Sequence, residues 1–263
     1  MAFKEFLVEK KGRIVCVTLN HPERMNSIGQ EGSDEFLQIL TEYRDDPDQW
    51  VMIITGAGPK AFCTGMYVNE GAEKTKAKGK AEGYDIYKPW TDMMQSIHKP
   101  FICAVNGYCV GGGWHLVADS DIVIASENTQ FLDTHVNLGL INGVESAGLA
   151  RKMPYGIVMR MVLEGRHFRV SAQQALQWGL VSEVLPLEKL MDKAWEIATH
   201  IAEESAPLAV QGSKKAMIGA FDRGMSDGVA YTWTVLSDIK DSEDTVEGLR
   251  SFVAKRKPVF TGK

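Results

Sequence analysis

Two glycine-containing segments carry the clearest chemical signal in the sequence. Residues 61–67 read Ala-Phe-Cys-Thr-Gly-Met-Tyr, and residues 106–115 contain the run Gly111-Gly112-Gly113. Glycine lets a backbone approach a ligand closely, and the start of a helix offers unpaired N–H groups. One such donor on a developing oxyanion is worth about 3–4 kcal/mol of barrier. We therefore predict that 62–66 and 111–113 each supply an N–H to a carbonyl oxygen, although a tight strand-to-helix connection would also need glycine.

Alternating strands and helices are expected to position these segments. Apolar runs predict strands at 14–19, 51–55, 101–105, 122–125 and 180–184. Amphipathic spacing predicts helices at 33–43 and 90–97, with a short helix after Gly113. Ser171 and Gln174 have the spacing of a capping box, and Gly179 stands where that helix should end.

Only helical patterns follow residue 186. One apolar stripe consists of Leu190, Met191, Ala194, Trp195, Ala198 and Ile201, and a second of Val246, Leu249, Phe252 and Val253. Strands alternating with helices, followed by helices alone, predict an α/β core with a helical C-terminal extension. We place the core at residues 1–195 and the helical oligomerisation region at 196–263.

Composition narrows the class of protein. The chain has 263 residues, of which 44% are apolar and 24% charged, as in a globular protein. Its net charge of −5 gives no electrostatic reason to expect nucleic acid or an anionic membrane as a partner. No apolar run approaches a membrane span, and charged residues stand where a signal peptide is apolar. We expect a cytoplasmic protein.

Cysteines and lysines give weaker signals. Cys16, Cys63, Cys103 and Cys109 form no Cys-x-x-Cys pair, so we expect buried or pocket-lining thiols and no metal site. Four alternating lysines between residues 71 and 83 favour a solvated charged loop, or alternatively contacts to ligand phosphates; they are Lys74, Lys76, Lys78 and Lys80.

An ordered series of motifs resembles the crotonase superfamily, the enoyl-CoA hydratase/isomerase family, over nearly the whole chain. The motifs lie at 20–26, 55–56, 60–66, 99–100, 104–107, 111–113, 121–125, 179–181 and 251–260. The resemblance implies a spiral of ββα units and a helical C-terminal region that builds trimers, often paired as hexamers. It also implies an acyl-CoA substrate, with coenzyme A present only as part of that substrate.

Individual site residues are implied by the same resemblance. The oxyanion hole, which stabilises a thioester enolate, is carried over to the backbone N–H groups of Met66 and Gly112. Contacts to CoA are implied for Arg24, Asn26, Ser27, Lys60, Thr64 and Gly65, with Phe252 and Lys255 reaching in from a neighbouring subunit. We expect the acyl pocket to be shaped by Tyr67, Trp90 and Trp114, although aromatic residues beside a glycine run are often core.

The sequence departs from the family at both catalytic glutamate positions, which are occupied by His115 and His135. Imidazoles can exchange protons, with an ordinary pKa of about 6.5. Glu145 follows ten residues after His135, and a carboxylate that orients a histidine forms a catalytic dyad. Asp133 and Asn142 could also face the pocket, but an ordinary structural role fits them better.

Three functions remain open on these grounds. The favoured one is an acyl-CoA enzyme of hydratase or isomerase type, with His115 and His135 as acid and base. The second is a hydrolase that cleaves a C–C bond of a cyclic β-diketone, or a CoA thioester, with a His135–Glu145 dyad. The third is a CoA-binding trimer without catalytic activity.

Overall fold

The computed structural model describes residues 3–67 and 86–263 of the chain. Within these ranges the strands are β1 Phe6–Lys11, β2 Ile14–Leu19, β3 Val51–Gly56, β4 Ala61–Cys63, β5 Phe101–Val105, β6 Tyr108–Val110, β7 Ile122–Ser126, β8 Gln130–Leu132, β9 Arg169–Ser171 and β10 Glu183–Leu185. The helices are α1 Gln30–Asp45, α2 Lys88–Ser96, α3 Trp114–Asp119, α4 Val144–Leu149, α5 Tyr155–Glu164, α6 Ala172–Gln177, α7 Leu187–Glu204, α8 Pro207–Phe221, α9 Met225–Ile239 and α10 Glu243–Ala254. The four lysines predicted to form a charged loop lie outside the described residues.

Two sheets build the core. The larger has the order β1-β2-β3-β5-β7-β10 and is parallel from β2 onward, while β1 pairs antiparallel with β2. The smaller has the order β4-β6-β8-β9. Successive units place one strand in each sheet before a helix, as in β3-β4-α2 and β5-β6-α3. The chain therefore forms the predicted spiral of ββα units.

Apolar residues on both faces of the larger sheet explain why its central strands lie in the core. Every residue of β3 and β5 is buried, as expected for central parallel strands covered on both sides. Helix α7 covers one face, where Leu190, Ala194 and Ala198 pack in one cluster with the strands. The first predicted helical stripe is thus confirmed as a core element. The predicted division at 195–196 lies within α7, and the two-region division remains a prediction.

The second helical stripe differs from the first. Leu249, Phe252 and Val253 on α10 have 67%, 83% and 82% of their surface exposed. An amphipathic pattern predicts that one face of the helix is buried, but it does not indicate whether the burying surface belongs to the same chain or to another subunit. Within the single chain this stripe is not core.

The last strand is shorter than the 180–184 predicted, because its first residues terminate a helix. The N–H groups of Leu180 and Val181 both donate to the carbonyl of Ala175, at 3.0 and 3.3 Å, around Gly179 with φ of +82°. This is a glycine-dependent helix end. The capping box of Ser171 and Gln174 at the other end of α6 is present as predicted.

Two further expectations can be compared with the fold. Cys16, Cys63, Cys103 and Cys109 are all free and buried, which confirms the expectation of buried thiols. None of the helices in the described ranges combines the length and the apolar character that crossing a membrane requires.

Candidate active site

Parallel pairing in the smaller sheet brings three loops to one edge. Cys63 of β4 pairs with Cys109 of β6, and Val110 of β6 pairs with Leu132 of β8. The carboxyl ends of parallel strands lie at the same edge, so the segments that follow them emerge side by side. Those segments are 64–67, 111–115 and 133–135. These segments contain the predicted oxyanion residues, Met66 and Gly112, and the predicted acid and base, His115 and His135. Glu145 lies elsewhere, on α4.

The two glycine segments are in direct contact. Ile28 donates to the carbonyl of Gly65 and accepts from the N–H of Tyr67, both at 2.8 Å, so the N–H of Met66 faces away from Ile28. Gly65 has φ of +82°, and a Cβ there would lie 2.6 Å from the nitrogen of Gly112. Only glycine permits both the conformation and the approach.

Gly112 lies in the first turn of a helical segment. A 3-10 turn at Gly111–Gly113 follows β6 and continues directly into α3. The N–H groups at the beginning of a helical segment have no partner within it. A Cβ at Gly113 would lie 2.5 Å from the carbonyl oxygen of Cys63, so this turn is held tightly against β4. The N–H groups of Met66 and Gly112 are therefore both carried by segments that meet at this edge of the sheet.

A single carboxylate lies between the two histidines. Glu145, in the first turn of α4, places Oε1 3.0 Å from Nε2 of His115 and 3.4 Å from Nε2 of His135. Glu145 and His115 are buried, with 4% and 6% of their surface exposed. The predicted pairing of Glu145 with His135 is present, but Glu145 is closer to His115.

His135 is held from its other side by Asp133. Oδ1 of Asp133 accepts a hydrogen bond from Nδ1 of His135 at 2.6 Å and one from the Asn142 amide at 3.0 Å. Asp133 is completely buried. A carboxylate only accepts, so Nδ1 of His135 carries a proton and its Nε2 faces Glu145. Asp133 and Asn142 thus belong to the cluster, contrary to the purely structural role favoured from the sequence.

His115 has its own supports, which sequence reasoning missed. Its Nδ1 lies 2.9 Å from Oγ1 of Thr91 on α2, and the ring of Tyr87 stacks on it with centroids 4.9 Å apart. Thr91 lies on the buried face of α2, beside Trp90 and Met94. A polar residue on a buried helix face needs a partner, and that was the available signal.

Opposing influences act on the pKa values of the cluster. Burial lowers the pKa of His135, but the hydrogen bond to Asp133 and the charges of Glu145 and Asp133 outweigh it, so the pKa is raised. Burial raises the pKa of Glu145, but the hydrogen bond and charge of His115 and the charge of His135 outweigh it, so the pKa is lowered. Both shifts favour the charged forms, an imidazolium at His135 and a carboxylate at Glu145.

The expected CoA-side residues occupy varied environments. The Asn26 side chain is 1% exposed and bonds to the backbone of His21, Ala57 and Ala61, so it holds neighbouring loops together, and its contact to CoA stays a prediction. Arg24 pairs with Glu5 and lies over the ring of Tyr67, 5.0 Å from its centroid.

The remaining predicted contacts divide into buried and exposed groups. Thr64 donates to the carbonyl of Met25 at 3.1 Å, and Ser27 is buried. Three residues are exposed in the single chain: Lys60, Phe252 and Lys255. Exposure leaves them accessible to a ligand or to another subunit, and their roles stay predictions.

The two tryptophans expected to shape the acyl pocket are buried in the core, which is the alternative that the sequence left open, and their role in the pocket stays a prediction. Trp90 and Trp114 have no exposed surface, and their indole N–H groups donate to the carbonyls of Ser33 and Leu132 at 3.1 and 3.0 Å. Their bulk is used for packing, because an apolar ring gains most when it is fully buried.

The family model described as enoyl-CoA hydratase/isomerase matches residues 9–263. The (E)-benzylidenesuccinyl-CoA hydratase of Thauera aromatica is 36% identical over 262 residues, which cover 97% of this chain and 98% of that protein. The carnitinyl-CoA dehydratase of Proteus mirabilis is 33% identical over 264 residues, covering 96% and 97% respectively.

Solved structures show the same similarity. An enoyl-CoA hydratase/isomerase from Mycobacterium paratuberculosis superposes with a TM-score of 0.89 at 34% identity, covering 99% of this chain and all of that chain. An enoyl-CoA hydratase from Bacillus anthracis gives a TM-score of 0.91 at 30% identity, with the same coverage.

Proposed function

Since the chain belongs to the enoyl-CoA hydratase/isomerase family, we propose that it adds water to the carbon–carbon double bond of an α,β-unsaturated CoA thioester, or removes water in the reverse direction. Membership of this family identifies the protein as an acyl-CoA-processing enzyme of hydratase type. The observation that carries the specific reaction is the Glu145 carboxylate held between His115 and His135. Water addition needs one group that takes a proton and one that gives a proton, and this cluster contains both.

The thioester oxygen is held by the backbone N–H groups of Met66 and Gly112. Support comes from the direction of the Met66 N–H away from Ile28 and from the contact of Gly65 with Gly112. As the water oxygen bonds to the β-carbon, the electrons of the double bond shift and negative charge develops on the thioester oxygen of the enolate. Donors aimed at that oxygen stabilise the transition state more than the ground state.

The proton steps follow from the charge states of the cluster. Glu145 takes a proton from water as the water oxygen bonds to the β-carbon and the double-bond electrons form the enolate. The Nε2 proton of the His135 imidazolium then passes to the α-carbon as the enolate collapses to the thioester. Glu145 returns its proton to Nε2 of His135 across their 3.4 Å contact, which restores the cluster.

His115 is assigned a different role from the acid or base predicted from the sequence. Its Nε2 lies 3.0 Å from the Glu145 carboxylate and so donates a hydrogen bond to it, while its Nδ1 shares a hydrogen bond with the Thr91 hydroxyl at 2.9 Å. An imidazole engaged in this way has no free lone pair with which to deprotonate water. His115 instead orients Glu145 and lowers its pKa.

We propose that the helical C-terminal region joins three copies into a trimer. Pairing of two trimers into a hexamer would need further contacts. Support comes from apolar side chains that stay exposed in the single chain, including Trp233 at 61% and Phe252 at 83%. Contiguous exposed apolar surface is typical of subunit interfaces. The mass of the purified protein by light scattering tests this, and a monomer at micromolar concentration would contradict it.

The proposed reaction is tested with a panel of α,β-unsaturated CoA thioesters that includes aromatic and alicyclic acyl groups. We expect one or more to gain 18 Da as the conjugated double bond disappears from the ultraviolet spectrum, with CoA still attached. Release of free CoA would instead indicate thioester hydrolysis. A cyclic β-diketone added to the panel tests C–C hydrolysis, because its opening also adds 18 Da. If none of the thioesters reacts, the proposal fails.

Activity should depend on pH through the two shifted groups. The pKa of Glu145 is lowered from its usual 4.5 and that of His135 is raised from its usual 6.5, so kcat/KM should fall only below pH 4.5 and above pH 6.5. Asp133→Asn removes a hydrogen bond and a charge that raise the pKa of His135. The alkaline limb should therefore move to lower pH in this variant, which a pH profile of kcat/KM measures.

A matched control separates this effect from a general loss of charge. Asp192 is an exposed carboxylate on α7, and Asp192→Asn should leave both limbs unchanged. An alkaline limb that stays in place in Asp133→Asn would show that His135 is not the acid.

A further inference from the structure

The hydroxyl of Tyr87 is buried without a hydrogen-bond partner among the described residues. Only 4% of the residue's surface is exposed. Leaving a buried polar group unsatisfied costs about 1–3 kcal/mol, and most buried side-chain polar atoms are paired. A bound ligand could satisfy this hydroxyl, and the surroundings of Tyr87 within the described residues indicate which ligand group it would meet.

The Tyr87 ring is held between the core and the catalytic cluster. It makes an edge contact with Trp90, with centroids 4.9 Å apart at 83°, and stacks on His115, with centroids 4.9 Å apart at 21°. Two aromatic neighbours at these angles restrict both side-chain torsions of a tyrosine. Its hydroxyl thus has a defined position before any ligand binds.

That position is beside Gly112. A Cβ at Gly112 would lie 2.5 Å from Cζ and 2.7 Å from the hydroxyl oxygen of Tyr87. The absence of a side chain at Gly112 therefore makes room for the end of the tyrosine ring. Burial raises the pKa of Tyr87, so the hydroxyl keeps its proton and remains a donor.

We propose that the Tyr87 hydroxyl donates a third hydrogen bond to the thioester oxygen of the substrate, together with the N–H groups of Met66 and Gly112. The inference rests on the proposed function, since it needs a thioester held at this edge of the sheet. Bound substrate would then satisfy the orphaned hydroxyl. As the oxygen gains negative charge in the enolate, the bond strengthens, because hydrogen bonds to charged acceptors are stronger than neutral ones.

Tyr87→Phe removes the donor and keeps the ring that packs on Trp90 and His115. We expect kcat to fall by about 100-fold, the lower end of the loss on removing one oxyanion donor, with little change in KM. A direct readout is the enolate of bound acetoacetyl-CoA, which absorbs in the ultraviolet. The wild-type protein should lower the pH at which half of the bound ligand is enolate, and Tyr87→Phe should raise that pH towards the value for free ligand.

Tyr43→Phe is the matched control. The Tyr43 hydroxyl is also buried, but it donates to the carbonyls of Pro100 and Trp50, at 2.9 and 3.3 Å. Its loss should lower thermal stability and leave the acetoacetyl-CoA titration unchanged. Equal shifts in both variants, or none in Tyr87→Phe, would overturn the role of Tyr87. A wild-type protein that does not favour the enolate would refute the backbone donor pair as well, and with it the proposed function.

Discussion

Glu145→Gln is expected to lower kcat by about 10²–10⁴-fold, the range that a general acid or base contributes. The amide has nearly the same shape as the carboxylate, but it cannot take a proton from water. It also removes the negative charge that helps to raise the pKa of His135. Steady-state kinetics on the thioester found in the substrate panel measure the loss, and KM should change much less because the groups proposed to hold the thioester oxygen remain.

Glu164→Gln provides the comparison for this variant. Glu164 pairs with Arg160 at 2.8 Å on α5, where both side chains are largely exposed. Surface pairs contribute little to stability, so activity and melting temperature should stay near wild type. Retention of more than a third of the wild-type kcat in Glu145→Gln would remove Glu145 from the mechanism.

Glu145 and His135 should also behave as one unit. If the carboxylate and the imidazolium exchange the same proton, His135→Ala combined with Glu145→Gln should cost hardly more than either change alone. Additive losses would instead mean that the two groups act in separate steps. This comparison distinguishes the proposed proton return across the 3.4 Å contact from two independent roles.

Gly65→Ala is expected to abolish measurable turnover, with a loss of at least about 10³-fold in kcat. Gly65 has φ of +82°, where an alanine is strained, and its Cβ would lie 2.6 Å from the nitrogen of Gly112 and 3.0 Å from the carbonyl of Val110. The neighbours are backbone atoms and cannot rotate away. Relief of the contact must therefore separate the Met66 and Gly112 segments, which removes both proposed oxyanion donors at once.

Gly156→Ala tests whether any glycine replacement has this effect. A Cβ at Gly156 would meet nothing within 4 Å, and the residue lies in helix α5. Alanine in a helix is favoured over glycine by roughly 0.5–1 kcal/mol, so this variant should keep full activity and melt no lower than wild type. If Gly65→Ala keeps both its fold and its activity, the two segments do not form the oxyanion site.

The longer parallel strands of the larger sheet could be predicted because their signals are local, whereas the three-residue strands of the smaller sheet were not predicted. The apolar runs at 14–19 and 101–105 coincide with β2 and β5, and the capping box at Ser171 is present. Predicted bounds were wrong where hydrogen bonds at a helix end decide the backbone conformation. Leu180 and Val181 have strand-like side chains, yet their N–H groups close the end of helix α6.

Some site residues could be predicted from local motifs, whereas others are defined only by packing. The glycine segments and the histidine positions are evident from residue type and spacing, and the parallel strands of the smaller sheet bring them together at one edge. Thr91 and Tyr87 show no motif, because their roles depend on the packing of α2 against α3. Asn26 occupies a ligand-side position in the motif, but its amide is used to hold neighbouring loops.

The sequence by itself determined the family, through that resemblance the spiral of ββα units, and the replacement of two glutamates by His115 and His135, because these depend on residue identity and on the spacing of motifs. The tertiary structure alone decided that Glu145 lies between the two imidazoles and that Asp133 accepts a hydrogen bond from Nδ1 of His135. Those contacts join the ends of separate strands and helices. Hydrogen bonds and charges act over a few ångströms, so their effect on proton transfer emerges only when the fold brings the groups together.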